Sequence, residues 1–473
     1  MFLDRYAFED PGATLTADWL VAEGWLPGRD FNYLYGLLTL LVGRVVFGVF
    51  GGTPGVYAVA TSLMAMGIAA SLAHLASTWK APLPAQVFLI LALPFAIDRF
   101  PPLNLAHSLE ALLLAVALVL HSRGQVSWAL AAAAMAVLTK PALGYVYGLV
   151  LLVQLVSQQD RSGGGWHVRT VGHALAPAVV TSACLLLLLS ACFSVESLLR
   201  SLLPFPAGEV YRRENFGFFR GEGQFFWRPP GANYRYYLGT AAGFWLAGTV
   251  YLILIALGAL VRREYRAFPV FPIVITCALL HLVFILVGFS NGWAWTYYSH
   301  LLVAGIAASA AWGRWTSRLV LFLGLAAALG QYAVWRDIGK KWGEYQRSAA
   351  CAGLYATPPV AEDWQRLREL GRQRRVFVLN YLGAAFLLAP ELDSTRAWCL
   401  YWWMATPREM EDTLSRLRQA EVVVIPKAGD FYRRPTHPQH GEPFASELQR
   451  FPYVVEWPTM ILYGRREGVF DAH

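Results

Sequence analysis

Apolar runs follow one another along most of this chain, each near the length of a membrane-spanning helix and joined to the next by a short polar segment. A helix crosses the hydrocarbon core with about 20 mostly apolar residues. Runs of this kind lie near 54–76, 84–97, 104–121, 126–140, 142–157, 171–193, 237–260, 269–289, 299–312 and 318–335. They predict a polytopic α-helical membrane protein with about ten transmembrane helices. Only 15% of the 473 residues are charged and the mean hydropathy is +0.41. A soluble chain would carry roughly 25% charge, so lipid has to cover much of this surface. The run LLTLLVGRVVFGVF at 37–50 is shorter and contains Arg44, which suits an interfacial helix.

Short loops between such helices carry Lys and Arg on the cytoplasmic side. With the first span running inward, the cytoplasmic joints hold Lys80, Arg123, Arg161 with Arg169, then Arg262, Arg263 and Arg266, and finally Arg314 with Arg318. The opposite joints hold little beyond Arg99 and Lys140. The outside compartment then receives loops 1–53 and 194–236 together with the C-terminal region. Basic clusters placed this way explain the formal charge of +8 without nucleic acid. The five cysteines lack CxxC spacing, although Cys351 and Cys399 are able to pair in an oxidising compartment.

The composition changes near residue 337. Charged, helix-like stretches (EDWQRLRELGRQRR, PREMEDTLSRLRQ) alternate there with short apolar runs at 376–380, 421–426 and 460–464 that read as strands. The expected division is a transmembrane domain over 1–336 and a small extracytoplasmic α/β domain over 337–473.

Two outside segments suit chemistry at a membrane surface. The first, residues 1–30, concentrates Asp4, Glu9, Asp10, Asp18, Glu23 and Asp30. The long loop interleaves Arg200, Arg212, Arg213, Arg220, Arg228 and Arg235 with aromatic residues. Arginine forks match phosphate oxygens, and aromatic rings sit well at headgroup level. A positioned carboxylate can take a proton from an attacking hydroxyl while cations stabilise a departing phosphate. The bland alternative is a loop anchored to anionic headgroups, and an acidic tail that is merely solvated or caps helices, the better reading for Asp4, Asp18 and Glu23 taken alone.

The segment EDPGATLTADWLVAEGWLPGRDFNYLYGLLTLLVGRVVFGVFG resembles the first outside loop of GT-C integral membrane glycosyltransferases, which include protein O-mannosyltransferases and lipid A aminoarabinose transferases. In that pattern an acidic pair, here Glu9 and Asp10, precedes a helix, and an RDF turn follows, here Arg29, Asp30 and Phe31. Leu37 stands where the family usually has Pro. Asp98 with Arg99 falls where the second outside loop often holds an acid, and Lys140 in TKPALG matches a segment that often has a basic residue before Pro. The family also has a transmembrane helix before the acidic loop, whereas this sequence opens on MFLDRYAFEDPG.

The resemblance implies an inverting transfer of a sugar from a polyprenyl-phosphate donor to a lipid, glycan or protein acceptor at the extracytoplasmic face of a bacterial plasma membrane. Asp10, beside Glu9, would be the base; Arg228, Arg235, Lys140 and Arg220 would hold the donor phosphate. No cofactor is demanded by the residues; some relatives use a divalent metal, for which Glu9, Asp10 and Asp98 would be the oxygen ligands. Two other functions fit the same composition. A transporter or flippase of lipid-linked sugars would carry ionisable residues deep in its spans, where this chain offers His74, His107, His281 and Lys140, mostly near span ends. A non-catalytic membrane scaffold would only present the C-terminal domain.

Overall fold

The computed structural model describes Leu3, Ala7, residues 10–31, 33, 35–98, 105–140, 143–160, 168–202, 241–262, 274–275, 278–279, 299–380, 383–397, 405–427 and 438–470. Helix α1 spans Asp10–Ala22, and α2 spans Leu37–Phe50, the run read as interfacial. Then follow α3 (Pro54–Thr78), α4 (Leu83–Asp98), α5 (Leu105–Ser122), α6 (Val126–Thr139), α7 (Leu143–Asp160), α8 (Val168–Cys192) and the short α9 (Val195–Leu202). Further along lie α10 (Ala241–Arg262), α11 (Ser299–Ser309) and α12 (Arg314–Trp342). Pro54 at the first turn of α3 and the Thr53 hydroxyl, which accepts from Val56 N–H at 3.3 Å, set that helix's start.

Among the described residues, three stretches are long and apolar enough to cross a membrane by length and composition: α3, α5 and Leu175–Cys192 of α8. Other apolar helices, including α2 and α6, are shorter. The run expected at 269–289 lies largely outside the described residues. Helix α5 is buried along most of its length, whereas in the apolar window of α8 Leu189 alone is buried and the rest is exposed or half-buried. A helix that is apolar all round is stable in the second situation only with lipid against it. Helix α12 continues through WRDIGKKW to Trp342, so the expected division at 336/337 falls inside a helix. Charge in that segment does not end the helix, because Arg and Lys are among the better helix formers.

The C-terminal residues form a five-stranded mixed sheet of order β4-β3-β5-β7-β6, after a two-residue ribbon of β1 (Gln346–Arg347) and β2 (Tyr355–Ala356). Its strands are β3 (Val376–Val378), β4 (Asp393–Ser394), β5 (Val422–Pro426), β6 (Tyr453–Glu456) and β7 (Met460–Gly464). Three of them are the apolar runs read as strands. Strand β3 is parallel to β4 and β5, while β7 is antiparallel to β5 and β6. Side chains alternate across a pleated strand. Val376, Val378, Val422 and Val424 accordingly join one core, and Phe377, Val423 and Ile425 another. The first core holds Trp364 and Leu367 of α13 (Pro358–Gln373) and also Leu3, Ala7 and Leu15 from the start of the chain. The second holds Leu417 of α15 (Pro407–Gln419) and Phe444 of α16 (Pro438–Leu448). A one-turn helix, α14 (Ala385–Leu388), lies between β3 and β4 in sequence. The first acidic segment therefore lies against the sheet unit as well as against the membrane helices.

Candidate functional site

Helix α1 has apolar contacts on two sides. Ala13, Ala17 and Leu20 pack in a cluster with Leu37, Leu38 and Leu40 of α2 and Leu138 of α6, while Leu15 belongs to the core under the sheet. Asp18 is buried and faces Arg44 of α2 at 3.4 Å. Burial raises its carboxyl above the ordinary value against the pull of Arg44. This corrects the reading of Asp18 as a solvated or capping residue: the loop folds into a helix packed on both sides, and packing takes the carboxylate out of water. Glu23, just past the helix, is exposed as expected; Asp4 lies outside the described residues.

The RDF turn is held by its aspartate. Asp30 Oδ2 accepts from Leu26 N–H at 2.8 Å, and Arg29 donates to both carboxylate oxygens, at 3.0 Å and 2.8 Å. Arg408 of α15 adds an ion pair at 2.8 Å. The Arg29 hydrogen bond first, with smaller help from Leu26 and Arg408, holds this buried carboxyl well below the usual carboxylate range despite desolvation. A carboxylate so committed is a structural acceptor, which leaves proton transfer to other acids of the segment.

From this turn a ladder of edge-to-face rings leads inward: Phe31 to Tyr33 at 6.3 Å, Tyr33 to Tyr35 at 5.6 Å, and Tyr35 to His107 of α5 at 5.4 Å. At its end Lys140 Nζ donates to His107 Nδ1 at 3.0 Å and lies 5.9 Å from the centre of the Tyr35 ring. Lys140 follows the last residue of α6, and its own N–H continues the helix to Ala136 O at 2.8 Å. Gly36 brings the two segments together. Its N–H donates to Thr139 O at 2.7 Å, and a Cβ there would fall 1.9 Å from Leu138 O. The Thr39 hydroxyl reaches the same Thr139 carbonyl at 3.3 Å. Glu110, three residues beyond His107 on α5, is fully buried and attracts the Lys140 ammonium.

Lys140 is thus the one expected phosphate-binding residue with a described side chain. Asp10 opens α1 and Asp98 closes α4, with only their backbones described. Glu9, Arg99, Arg220, Arg228 and Arg235 lie outside the described residues, as do Cys399 and His281. Cys351 is buried in the core beneath the sheet. Among the described residues no group of three or more His, Cys, Asp or Glu side chains could hold a metal ion. Arg200, the first arginine of the long-loop set, donates to Gly28 O at 2.7 Å and pairs with Glu196 at 2.8 Å, so it braces the turn of the first segment. Sequence reasoning overlooked Glu110, although it is the lone acid in the apolar run LAHSLEALLLAVALVLHS.

No family model matches the chain, and no curated protein matches it. Solved structures do. The crystal structure of ArnT from Cupriavidus metallidurans bound to undecaprenyl phosphate aligns over 99% of this chain and 96% of its own, with TM-score 0.51 and 14% identity. The apo structure of the same protein aligns over 99% and 95%, with TM-score 0.47 and 14% identity. The chain has an ArnT-like fold.

Proposed function

We propose that this chain is a membrane glycosyltransferase that moves a sugar from a polyprenyl-phosphate donor to an acceptor at the extracytoplasmic face of a bacterial plasma membrane. One observation carries the reading: in a chain of ArnT-like fold, the acid-bearing α1 and the turn that leads to Lys140 pack into a single cluster through Ala13, Ala17, Leu20 and Leu138. The solved neighbour's bound undecaprenyl phosphate supports the donor class.

In this mechanism Asp10, with Glu9 beside it, takes the proton of the acceptor nucleophile as its oxygen attacks the anomeric carbon. The phosphate leaves from the opposite side, inverting the configuration. Lys140 and the arginines Arg220, Arg228 and Arg235 neutralise the charge that develops on that phosphate, where a water-poor setting strengthens their effect. Asp98 and Arg99 border the same compartment. The division into a membrane domain over 1–336 and an outside domain over 337–473 belongs to this proposal, with the start of α12's charged extension as its joint.

The test is transfer from a synthetic polyprenyl-phosphate sugar by the purified protein in nanodiscs. Asp10→Asn should lower transfer by about 10² to 10⁴ with folding and donor binding retained. Glu9→Gln and Asp98→Asn serve as comparisons. An Asp10→Asn protein with wild-type transfer would remove the base and, with it, this mechanism. A second reading draws on the half-buried Lys140 and the buried His107 and Glu110, since ionisable groups inside a membrane domain mark paths for ions or substrates. Movement of a fluorescent lipid-linked sugar between leaflets, with no transfer to any acceptor, would favour it.

A further inference from the structure

Besides the core contacts of Leu3, Ala7 and Leu15, hydrogen bonds and ring contacts join the sheet unit to the first segment at two separate points. Near the middle of α1, the Thr16 hydroxyl donates to Gly383 O at 2.7 Å in a buried contact between positions 367 residues apart. Gly383 has φ +129, a conformation that L side chains rarely adopt. Trp19 stands edge-on to Phe386 of α14, with ring centres 5.0 Å apart. Arg396 lies 5.3 Å from the Trp19 ring and 5.1 Å from Phe386, and Asp393 holds its guanidinium at 3.2 Å.

The second point is the RDF turn. Thr406 caps α15: its hydroxyl accepts from Glu409 N–H at 3.2 Å, and its own proton goes to Asp30 O at 2.7 Å. One residue into that helix, Arg408 pairs with the Asp30 carboxylate and covers the Trp25 ring at 4.2 Å. A guanidinium satisfies both demands at once, because it is a planar fork of donors with a face that stacks on aromatic rings. Meanwhile Ala13, Ala17 and Leu20 seat the helix on α2 and α6. Helix α1 is therefore gripped by two bodies that are otherwise distant in sequence.

We infer that the C-terminal sheet unit clamps the acid-bearing helix, and that Arg408, through the Asp30 turn and Trp25, is a positioning residue for the segment that carries Asp10. The inference rests on the proposed role of Asp10 for its catalytic consequence, but the clamp itself does not. A catalytic acid has to be held within a fraction of an ångström of its productive place, so loosening its support lowers the chemical step before it lowers donor binding.

Hydrogen exchange, donor binding and transfer kinetics on the full chain in nanodiscs provide the test. In Arg408→Ala, amides of residues 10–31 should exchange about tenfold faster while those of α13 and β5 stay protected, since local opening is read segment by segment. The kcat should fall about tenfold with the KM for a polyprenyl-phosphate sugar nearly unchanged. Arg408→Lys, which keeps charge but loses the fork and the flat face, should recover part of both effects. Thr406→Val and Arg396→Ala probe the two points separately. Unchanged exchange over 10–31 in Arg408→Ala and in the Arg396→Ala/Arg408→Ala double variant overturns the clamp. Faster exchange with wild-type kcat overturns Arg408 as a positioning residue. If Asp10→Asn transfers normally while Arg408→Ala still loosens 10–31, the clamp stands and only the assignment of Asp10 fails.

Discussion

The Asp18–Arg44 pair makes removal of one partner far more costly than removal of the other. Asp18 is 7% exposed, whereas the Arg44 side chain retains 37% exposure. At 3.4 Å the attraction is about 5 kcal/mol before desolvation is counted, taking an effective dielectric near 20. Burial nevertheless outweighs it, since the Asp18 carboxyl sits above its ordinary value. Charged Asp18 is therefore worse off in the fold than in water even with its partner present. Asp18→Asn removes that charge and leaves an arginine that water can reach, so stability should change by less than about 1 kcal/mol. Arg44→Ala strands the carboxylate. Its loss is capped by the option of taking a proton, which costs a carboxyl of ordinary pKa about 4 kcal/mol at pH 7. A destabilisation of about 2–4 kcal/mol follows, and Asp18→Asn should rescue most of it in the double variant.

The pH dependence has a definite sign. A carboxyl whose folded pKa is raised contributes stability at low pH and loses it as pH rises through that pKa. The gap between Arg44→Ala and the double variant should therefore narrow as pH falls from 7.5 to 5.5, by up to about 1.4 kcal/mol per unit. Unfolding of the four proteins by titration with sodium dodecyl sulfate in mixed micelles reads the cycle. If Arg44→Ala is as stable as wild type, or if Asp18→Asn costs as much as Arg44→Ala, the account of a desolvated carboxylate fails.

Asp30 should answer to pH in the opposite sense: its depressed carboxyl stabilises the fold fully above the unfolded value of about 4 and loses that contribution progressively as pH falls from there toward its lower folded value, so between pH 5 and pH 3 wild type should begin to lose more thermal stability than Asp30→Asn. Gly36→Ala drives a Cβ to 1.9 Å from a backbone oxygen that no rotamer change can move, and should cost about 3 kcal/mol or more. Gly43→Ala, with its nearest neighbour at 3.5 Å, is the matched control and should be nearly neutral in the same melt. For topology, cysteines placed at Gly221 and Gly441 should both react with impermeant thiol reagents in intact cells, and labelling of one alone would separate the compartments that the mechanism requires to be shared.

The elements that were legible in sequence are those whose signal is local. Apolar runs gave α3 to α8, and three short β-branched runs gave β3, β5 and β7, because periodicity and length report directly on what a segment can bury. The capping box at Thr406 and Glu409 is equally local and could have been read from TPRE. Lys140 was reached through a family pattern, but its contact with His107 spans 33 residues and depends on how α5 and α6 pack. Strand β6 carries a local signal in YVVE that went unread, whereas the two-residue strand β4 and the burial of Asp18 had none. Five of the expected residues, Glu9, Arg99, Arg220, Arg228 and Arg235, fall outside the described residues, so for them sequence alone still speaks.

Asp30 shows why such a limit is physical. Read in sequence, it is one of six carboxylates in an acidic segment and is indistinguishable in kind from Asp10. Only the chain's return, 376 residues later, brings Thr406 against its carbonyl and Arg408 against its carboxylate. Two carboxylates of one short loop thus separate into a buried acceptor that fixes the turn and an acid at a helix start, through contacts that no window on the sequence contains. A first loop built this way needs no rigidity of its own. The membrane helices supply one wall through Leu138 and the sheet supplies the other through Phe386, so the placement of the helix that opens at Asp10 depends on both. Substitutions that shift either wall should then resemble substitutions in the loop itself, lowering turnover before they unfold the chain.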